Sequence, residues 1–311
     1  MTDAAANPQE DWPPLPEALV VPVYDNHTHL DHDRDPSTGS GTGTGTGIGL
    51  SASDALDRAS SVGVRGVVQV GTDLETSRWS AELASHEPRV LAAVALHPNE
   101  VPELAAAGTL DDQLAAINEL AGMSRVRAVG ETGLDFFRTE SDEGHAAQVR
   151  SFEAHIAIAK EHGLALQIHD RDAHAEVVAT LRRVGAPERT VFHCFSGDAE
   201  FAKLVSDEGW FLSFAGTVTF KNATDLREAL EVIPRSRILI ETDAPYLTPM
   251  PFRGRLNSSY LIPHTLRAMA AHLGTDASML AAQISSNTEL VYGGWDDGPL
   301  VAPPGPFAEH P

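Results

Sequence analysis

Histidine and carboxylate side chains recur at the ends of short apolar runs, and the chemistry they offer is metal ligation. Tyr24-Asp25-Asn26-His27-Thr28-His29 closes the first such run. In an extended chain His27 and His29 point to one side, about 6.5–7 Å apart, so two imidazoles can share a cation. Alone the pair carries little, because a chain with 14 histidines holds chance pairs. His32 lies beyond the strand end and reads as solvated. Glu131, in Gly130-Glu131-Thr132-Gly133-Leu134-Asp135, can give one oxygen to each of two cations; a turn or capping carboxylate is the plain alternative, and Asp135 reads equally as a loop cap. His169 and His193 each end a run that belongs in a barrel wall. One histidine there is usually a hydrogen-bonded core residue; two in succession favour metal. Cys194 alternates away from His193 and reads as a small packing residue. Asp243, in Glu241-Thr242-Asp243-Ala244-Pro245, would join His27 and His29 where a barrel closes, and its second oxygen can take a proton from water. An Asx turn before Pro245 is the alternative.

These side chains need elements to carry them. β-branched runs at 19–24, 64–70, 90–96, 126–130, 165–168, 190–192, 210–214 and 237–240 alternate with helical stretches, among them 53–61, 110–122, 145–162, 173–184 and 225–233. The alternation predicts an α/β fold, a (β/α)8 TIM-like barrel, with a doubly wound sheet as the alternative. In the barrel, the ends of strands one, four, five, six and eight share one mouth. The candidate ligands then make a binuclear metal site at the C-terminal mouth. Imidazole and carboxylate suit Zn²⁺, Mn²⁺, Ni²⁺, Fe²⁺ or Mg²⁺, with imidazole weighting against Mg²⁺. The expected organisation is a flexible lead-in at 1–18, one barrel domain at 19–294, and a Pro/Gly-rich peripheral tail at 295–311. Residues 35–49, DPSTGSGTGTGTGIG, read as a flexible loop on the active-site side that tunes substrate access.

Bulk properties narrow the partners. The net charge is −22, from 44 acidic and 22 basic residues, which disfavours extended binding of long polyanions. A single phosphate ester held by metal ions is still compatible. No apolar run reaches the roughly 18 residues of a membrane span, and the acidic N-terminus lacks signal-peptide features. With one cysteine, no intrachain disulfide forms, and the cytoplasm is the expected compartment. No membrane and no obligate protein partner is expected.

The motifs DNHTHL at 25–30, VGTDL at 70–74, HP at 97–98, GETGLDFFR at 130–138, QIHDRDAH at 167–174, HCFSG at 193–197, ETDAPYLTP at 241–249 and RGRLNSS at 253–259 resemble the TatD family of metal-dependent deoxyribonucleases, within the amidohydrolase-like barrels. The resemblance runs from about 23 to 292. It implies one cation held by His27, His29, Glu131 and Asp243, and a second held by Glu131, His169 and His193. The implied activity is cleavage of phosphodiesters in DNA ends or short single strands by water that two divalent cations activate. Asp243 is the candidate general base, with Glu131 between the cations. Arg138, Arg171, Arg253 and Arg255 are candidates to grip phosphates, each with a solvated surface charge as its alternative. His97 and Asp25 are candidates to orient ligands or substrate. Ala95 and Asn99 stand where the family often has glycine and histidine, and the Gly/Thr stretch is an insertion; both touch the substrate rim rather than the ligands. Hydrolysis of a carboxylic ester or amide, such as an aminoacyl ester or lactone, is the alternative activity. A non-catalytic metal-binding protein is the third reading.

Overall fold

The computed structural model describes residues 12–33 and 50–296. The expected Gly/Thr loop at 35–49 lies outside the described residues, as do 1–11 of the lead-in and 297–311 of the tail. Eight strands form one sheet in sequence order: β1 (Val23–Thr28), β2 (Val64–Val70), β3 (Val90–Val94), β4 (Val126–Asp135), β5 (Ala165–Arg171), β6 (Thr190–Phe192), β7 (Phe211–Phe214) and β8 (Ile238–Ile240). Every neighbouring pair is parallel. Just past β8, Thr28 bridges Ala244, and the Asp243 and His29 N–H groups donate to the His27 and Ala244 carbonyls at 2.9 and 2.8 Å. The last strand thus returns to the first, and the sheet closes as the expected (β/α)8 barrel rather than as an open doubly wound sheet.

The surrounding helices are α1 (Ala52–Ser61), α2 (Leu74–His86), α3 (Val101–Ala106), α4 (Leu110–Ala121), α5 (Asp142–His162), α6 (His174–Val184), α7 (Ala199–Asp207), α8 (Thr224–Val232), α9 (Ile262–His272) and α10 (Ala277–Tyr292). Their apolar stripes, including Leu56, Ile117, Phe152, Ile156 and Leu181, are buried against the outward faces of the strands. The VGTDL motif serves this packing. Asp73 caps α2 by accepting from the Thr76 N–H, while the Thr76 hydroxyl accepts from the Asp73 N–H, a reciprocal capping box.

Inside the barrel the side chains form layers. The floor is apolar: Tyr24, Val68, Leu91, Phe211 and Leu239 meet Tyr292, at the end of α10, and Trp295 just beyond it. Trp295 stacks on Tyr24 with ring centroids 4.0 Å apart and donates its Nε1–H to the Arg89 carbonyl at 3.0 Å. The next layer is polar and internally bonded. Gln167 Nε2 donates to the Asn26 carbonyl at 2.7 Å and to the Tyr292 hydroxyl at 2.8 Å, and Asn26 Nδ2 donates to Ser213 Oγ at 2.8 Å. The candidate ligands lie on top.

Strand alternation carries β5, β6 and β8 through these layers directly: Ala165, Gln167, His169; Val191, His193; Leu239, Glu241, and then Asp243 beyond the strand. β1 and β4 need a correction. In β1, Asp25 pairs with Val67 and Thr28 with Gln69; in β4, Val129 pairs with Leu166 and Thr132 with Ile168. Each strand spends one extra residue there, a bulge that shifts inward-facing positions from even to odd numbers. His27 and Glu131 are aimed inward by those bulges.

Other boundaries differ from expectation. β1 begins four residues later than the run at 19–24, because Leu19 bonds instead to the Val62 carbonyl outside the sheet. β4 and β5 extend to Asp135 and Arg171, because they pair with each other to that point. Residues 12–18, expected in the lead-in, are fastened: Arg255 donates to the Trp12 carbonyl at 3.0 Å and Tyr260 to the Pro13 carbonyl at 2.6 Å. Trp295, expected in the tail, is part of the barrel floor.

Trp295→Ala opens a cavity in that floor and should lower stability by about 3–5 kcal/mol in urea unfolding. Two layers separate it from the ligands, so metal content per folded chain should match the parent. Unfolding midpoints and metal analysis check the two halves.

Candidate metal centre

His27 is fully buried, and both of its ring nitrogens lack a hydrogen-bond partner. A buried imidazole left this way is costly unless something else uses its lone pair. Its Nε2 faces Glu131 Oε2 at 3.5 Å and Asp243 Oδ1 at 3.8 Å. His29 Nε2 faces the same two oxygens at 3.7 and 3.4 Å. Donor atoms around a four-coordinate cation at about 2.0–2.1 Å stand roughly 3.4 Å apart, so this group has the spacing of a metal site. His27, His29 and Asp243 form one cluster able to hold an ion, and His97, Glu131 and His169 form another.

Glu131 belongs to the second cluster and also faces the first. Its Oε1 lies 2.8 Å from His169 Nδ1, 2.9 Å from His193 Nε2 and 3.2 Å from His97 Nε2, while Oε2 faces His27 and His29. The flanking glycines let β4 approach β5 this closely. Gly133 has φ +136°, and a Cβ there would run into the His169 carbonyl. Asp243 holds φ +53°, a left-handed conformation that turns its carboxylate back over the mouth.

Hydrogen bonds on the far side of each ring set which nitrogen is free. His29 Nδ1 faces the Val70 carbonyl at 3.0 Å, so Nδ1 carries the proton and Nε2 keeps its lone pair. His193 Nδ1 faces Glu241 Oε1 at 3.3 Å, with the same result. His169 Nε2 faces Asp135 Oδ2 at 3.2 Å, which leaves Nδ1 for the centre. His97 is opposite in sense. Its Nδ1 accepts from the Asn99 N–H at 3.1 Å, so the proton sits on Nε2, which points at Glu131 as a donor. His97 therefore suits donation to an anion better than ligation.

Protons stand in for cations when none is bound. Burial pushes the Glu131 carboxyl up, but His193, His97 and His169 outweigh it and hold it well below the usual range. Burial lowers the His29 pKa, yet Asp243 and Glu131 together raise it to about 9. Burial likewise opposes, and the carboxylates likewise raise, His169 and His193. Asp135 is pushed up by burial and held at about 2 by hydrogen bonds from His169 and the Arg138 N–H. Asp25 is buried, which lifts it to about 7; it accepts from the Thr242 N–H and hydroxyl at 2.9 and 2.5 Å. Asp25 thus ties β1 to the turn that carries Asp243.

The centre opens onto a cleft of about 490 Å³ whose walls include His97, Arg138, Arg171 and Tyr246. Arg253 and Arg255 are not brought there. Arg253 lies over the Phe220 ring at 4.4 Å, and Arg255 is engaged with Trp12. Sequence reasoning missed Glu241 as the partner of His193. The odd-numbered alternation 239, 241, 243 along β8 contained that signal.

Residues 24–293 match the family described as TatD related DNase. The chain is 40% identical over 275 residues to the metal-dependent hydrolase TatD of Mycobacterium tuberculosis, covering 87% of this chain and 98% of that one. It is 36% identical over 247 residues to the 3'-5' ssDNA/RNA exonuclease TatD of Escherichia fergusonii, covering 77% and 92%. Among solved structures, the TatD homologue YJJV of Escherichia coli K12 superposes with a TM-score of 0.75 at 25% identity, covering 88% and 98%.

Metal analysis should find Glu131→Ala depleted of both cations and His169→Ala depleted chiefly of one, with both proteins folded. A proton on His29 must leave before its nitrogen can ligate. Metal affinity should therefore rise as pH climbs from 6 towards 9, with proton release visible by calorimetry in buffers of different ionisation enthalpy.

Proposed function

Because the chain belongs to the TatD related DNase family, a family of metal-dependent hydrolases, we propose that it cleaves phosphodiester bonds at DNA ends or in short single strands. One observation carries this reading. With every imidazole neutral, as ligation requires, the cleft walls hold five carboxylates (Asp31, Glu100, Glu131, Asp135, Asp243) against two guanidinium groups (Arg138, Arg171), a balance of three negative charges. Four charges from two divalent cations turn it positive by one, so the cleft becomes an anion site only when loaded. A phosphodiester is the anion that such a small surplus suits.

In this reading His27, His29, Asp243 and Glu131 hold one cation, and Glu131, His169 and His193 the other. When bound, the cations lower the pKa of water and neutralise charge that builds on the phosphoryl oxygens. Asp243 turns Oδ1 to His27 and His29. Its other oxygen is the general base that takes the proton from attacking water. His97 offers its Nε2 proton to a phosphoryl oxygen. Arg138 and Arg171 have no carboxylate partner among the described residues, and each can grip a phosphate bidentately. Glu241 and Asp135 keep His193 and His169 in the ligating tautomer. The relative from Escherichia fergusonii, named as a 3'-5' ssDNA/RNA exonuclease, supports a nucleic-acid substrate. No described helix is long and apolar enough to cross a membrane.

The test is a metal-reconstituted screen of single-stranded DNA, mononucleotide phosphodiesters and aminoacyl esters. Cleavage of the first is expected, and aminoacyl-ester cleavage without phosphodiester cleavage would overturn the reading. Asp243→Asn should lower kcat about 10²–10⁴-fold. Arg138→Ala and Arg171→Ala should act mainly on KM. With about two phosphates gripped, oligonucleotide binding should weaken with salt at a log–log slope of only about 1–2.

A further inference from the structure

Eight large apolar side chains are exposed among the described residues, and only two of them are aromatic, Phe137 and Tyr246. Each is 56% exposed; Tyr246 lines the cleft, and Phe137 lies against Arg171, which also lines it. Phe137 follows β4, and Tyr246 follows β8. In a closed sheet of eight strands in sequence order, those positions face each other across the barrel axis. Tyr246 borders the cleft beside His29, with ring centroids 6.4 Å apart, and its N–H donates to the Asp243 carbonyl at 2.9 Å. On the other side the Arg171 guanidinium lies 3.9 Å from the Phe137 ring centre, so one planar cation is layered on one planar ring. The Glu131 carboxylate lies between the two sides.

A ring left half in water stabilises the fold less than a buried one. The two rings suit a ligand with flat apolar faces and a phosphate between them. We propose that Phe137 with Arg171, and Tyr246, are stacking surfaces for the nucleobases on the two sides of the scissile phosphate, and that they select unpaired strands. The proposal rests on the nuclease reading above. Stacking is indifferent to base identity, because every base has a π face, and it fails in duplex DNA, where neighbouring bases cover those faces. It also supplies what this acidic protein lacks. Without a basic groove, affinity beyond one or two phosphates has to come from contacts that do not depend on charge. Arg171 serves twice, as a phosphate donor along its edge and as a flat surface on its face.

The experiment uses the metal-loaded full chain and two short single strands of equal length. One carries 2-aminopurine beside the scissile phosphate; the other has baseless sugars on both sides of it. Phe137→Ala and Tyr246→Ala should each raise KM for the base-bearing strand about tenfold, with kcat changed far less, and should relieve the quenching of 2-aminopurine on binding. The same variants should raise KM for the baseless strand much less, and Phe137→Trp should restore KM for the base-bearing one. Equal losses on both strands, or no loss on either, would overturn the stacking proposal while leaving the nuclease reading intact. A parent protein that loads metal and cleaves neither strand overturns the nuclease reading and the proposal together.

Discussion

An ionised carboxylate cannot be buried without positive charge beside it, and Glu131 is buried at the centre of the barrel mouth. Much of the surrounding structure answers that demand. Five histidines from β1, the β3 end, β5 and β6 converge on its two oxygens. His29, His169 and His193 are in turn held by a carbonyl or a carboxylate behind each ring. The carboxylates behind them are themselves buried, so the polar centre extends two layers of side chains outward before it meets apolar core. Metal-free protein satisfies the demand with protons on imidazole. Loaded protein satisfies it with cations, and the difference in charge decides what the cleft attracts.

The layering below explains how a mouth this polar stays rigid. The Asn26, Gln167, Ser213 and Tyr292 side chains are hydrogen-bonded to one another, although the buried Gln167 Oε1 has no partner. The apolar floor beneath it fixes the strand spacing. β1 joins all three levels, with Tyr24 in the floor, Asn26 in the middle and His27 at the top.

Much of this was legible in the sequence. Period-two alternation placed His169 and His193 on strand ends, and the ETD stretch placed Asp243 beside the first strand. The bulges in β1 and β4 were not legible, because an extra residue leaves the residue types unchanged and alters only the pairing. Glu241 was passed over because Asp243, two residues on, offered the same chemistry in a better-known motif. Arg253 and Arg255 follow the ligands closely in sequence, but the Arg253 side chain lies over Phe220 and the Arg255 side chain bonds to Trp12, contacts that no sequence pattern announces. The fastening of residues 12–18 depends on carbonyl groups, which every residue carries and no sequence pattern reveals.

The floor formed by Tyr292 and Trp295 has a consequence for biosynthesis. During translation, β1 to β7 emerge as an open sheet with two unpaired edges and an uncovered interior. β8 closes the edges only after residue 240 is made, and the interior is sealed only when α10 and Trp295 follow. His27 therefore waits for Asp243, which is made long after it, and its pocket is complete only once β8 and the turn beyond it have emerged. A nascent chain that met metal earlier would find at most the His27–His29 pair and the β4–β6 ligands on an unfinished wall. Cation loading is thereby coupled to the synthesis of β8, and a ribosome stalled before it would leave His27 and His29 without Asp243.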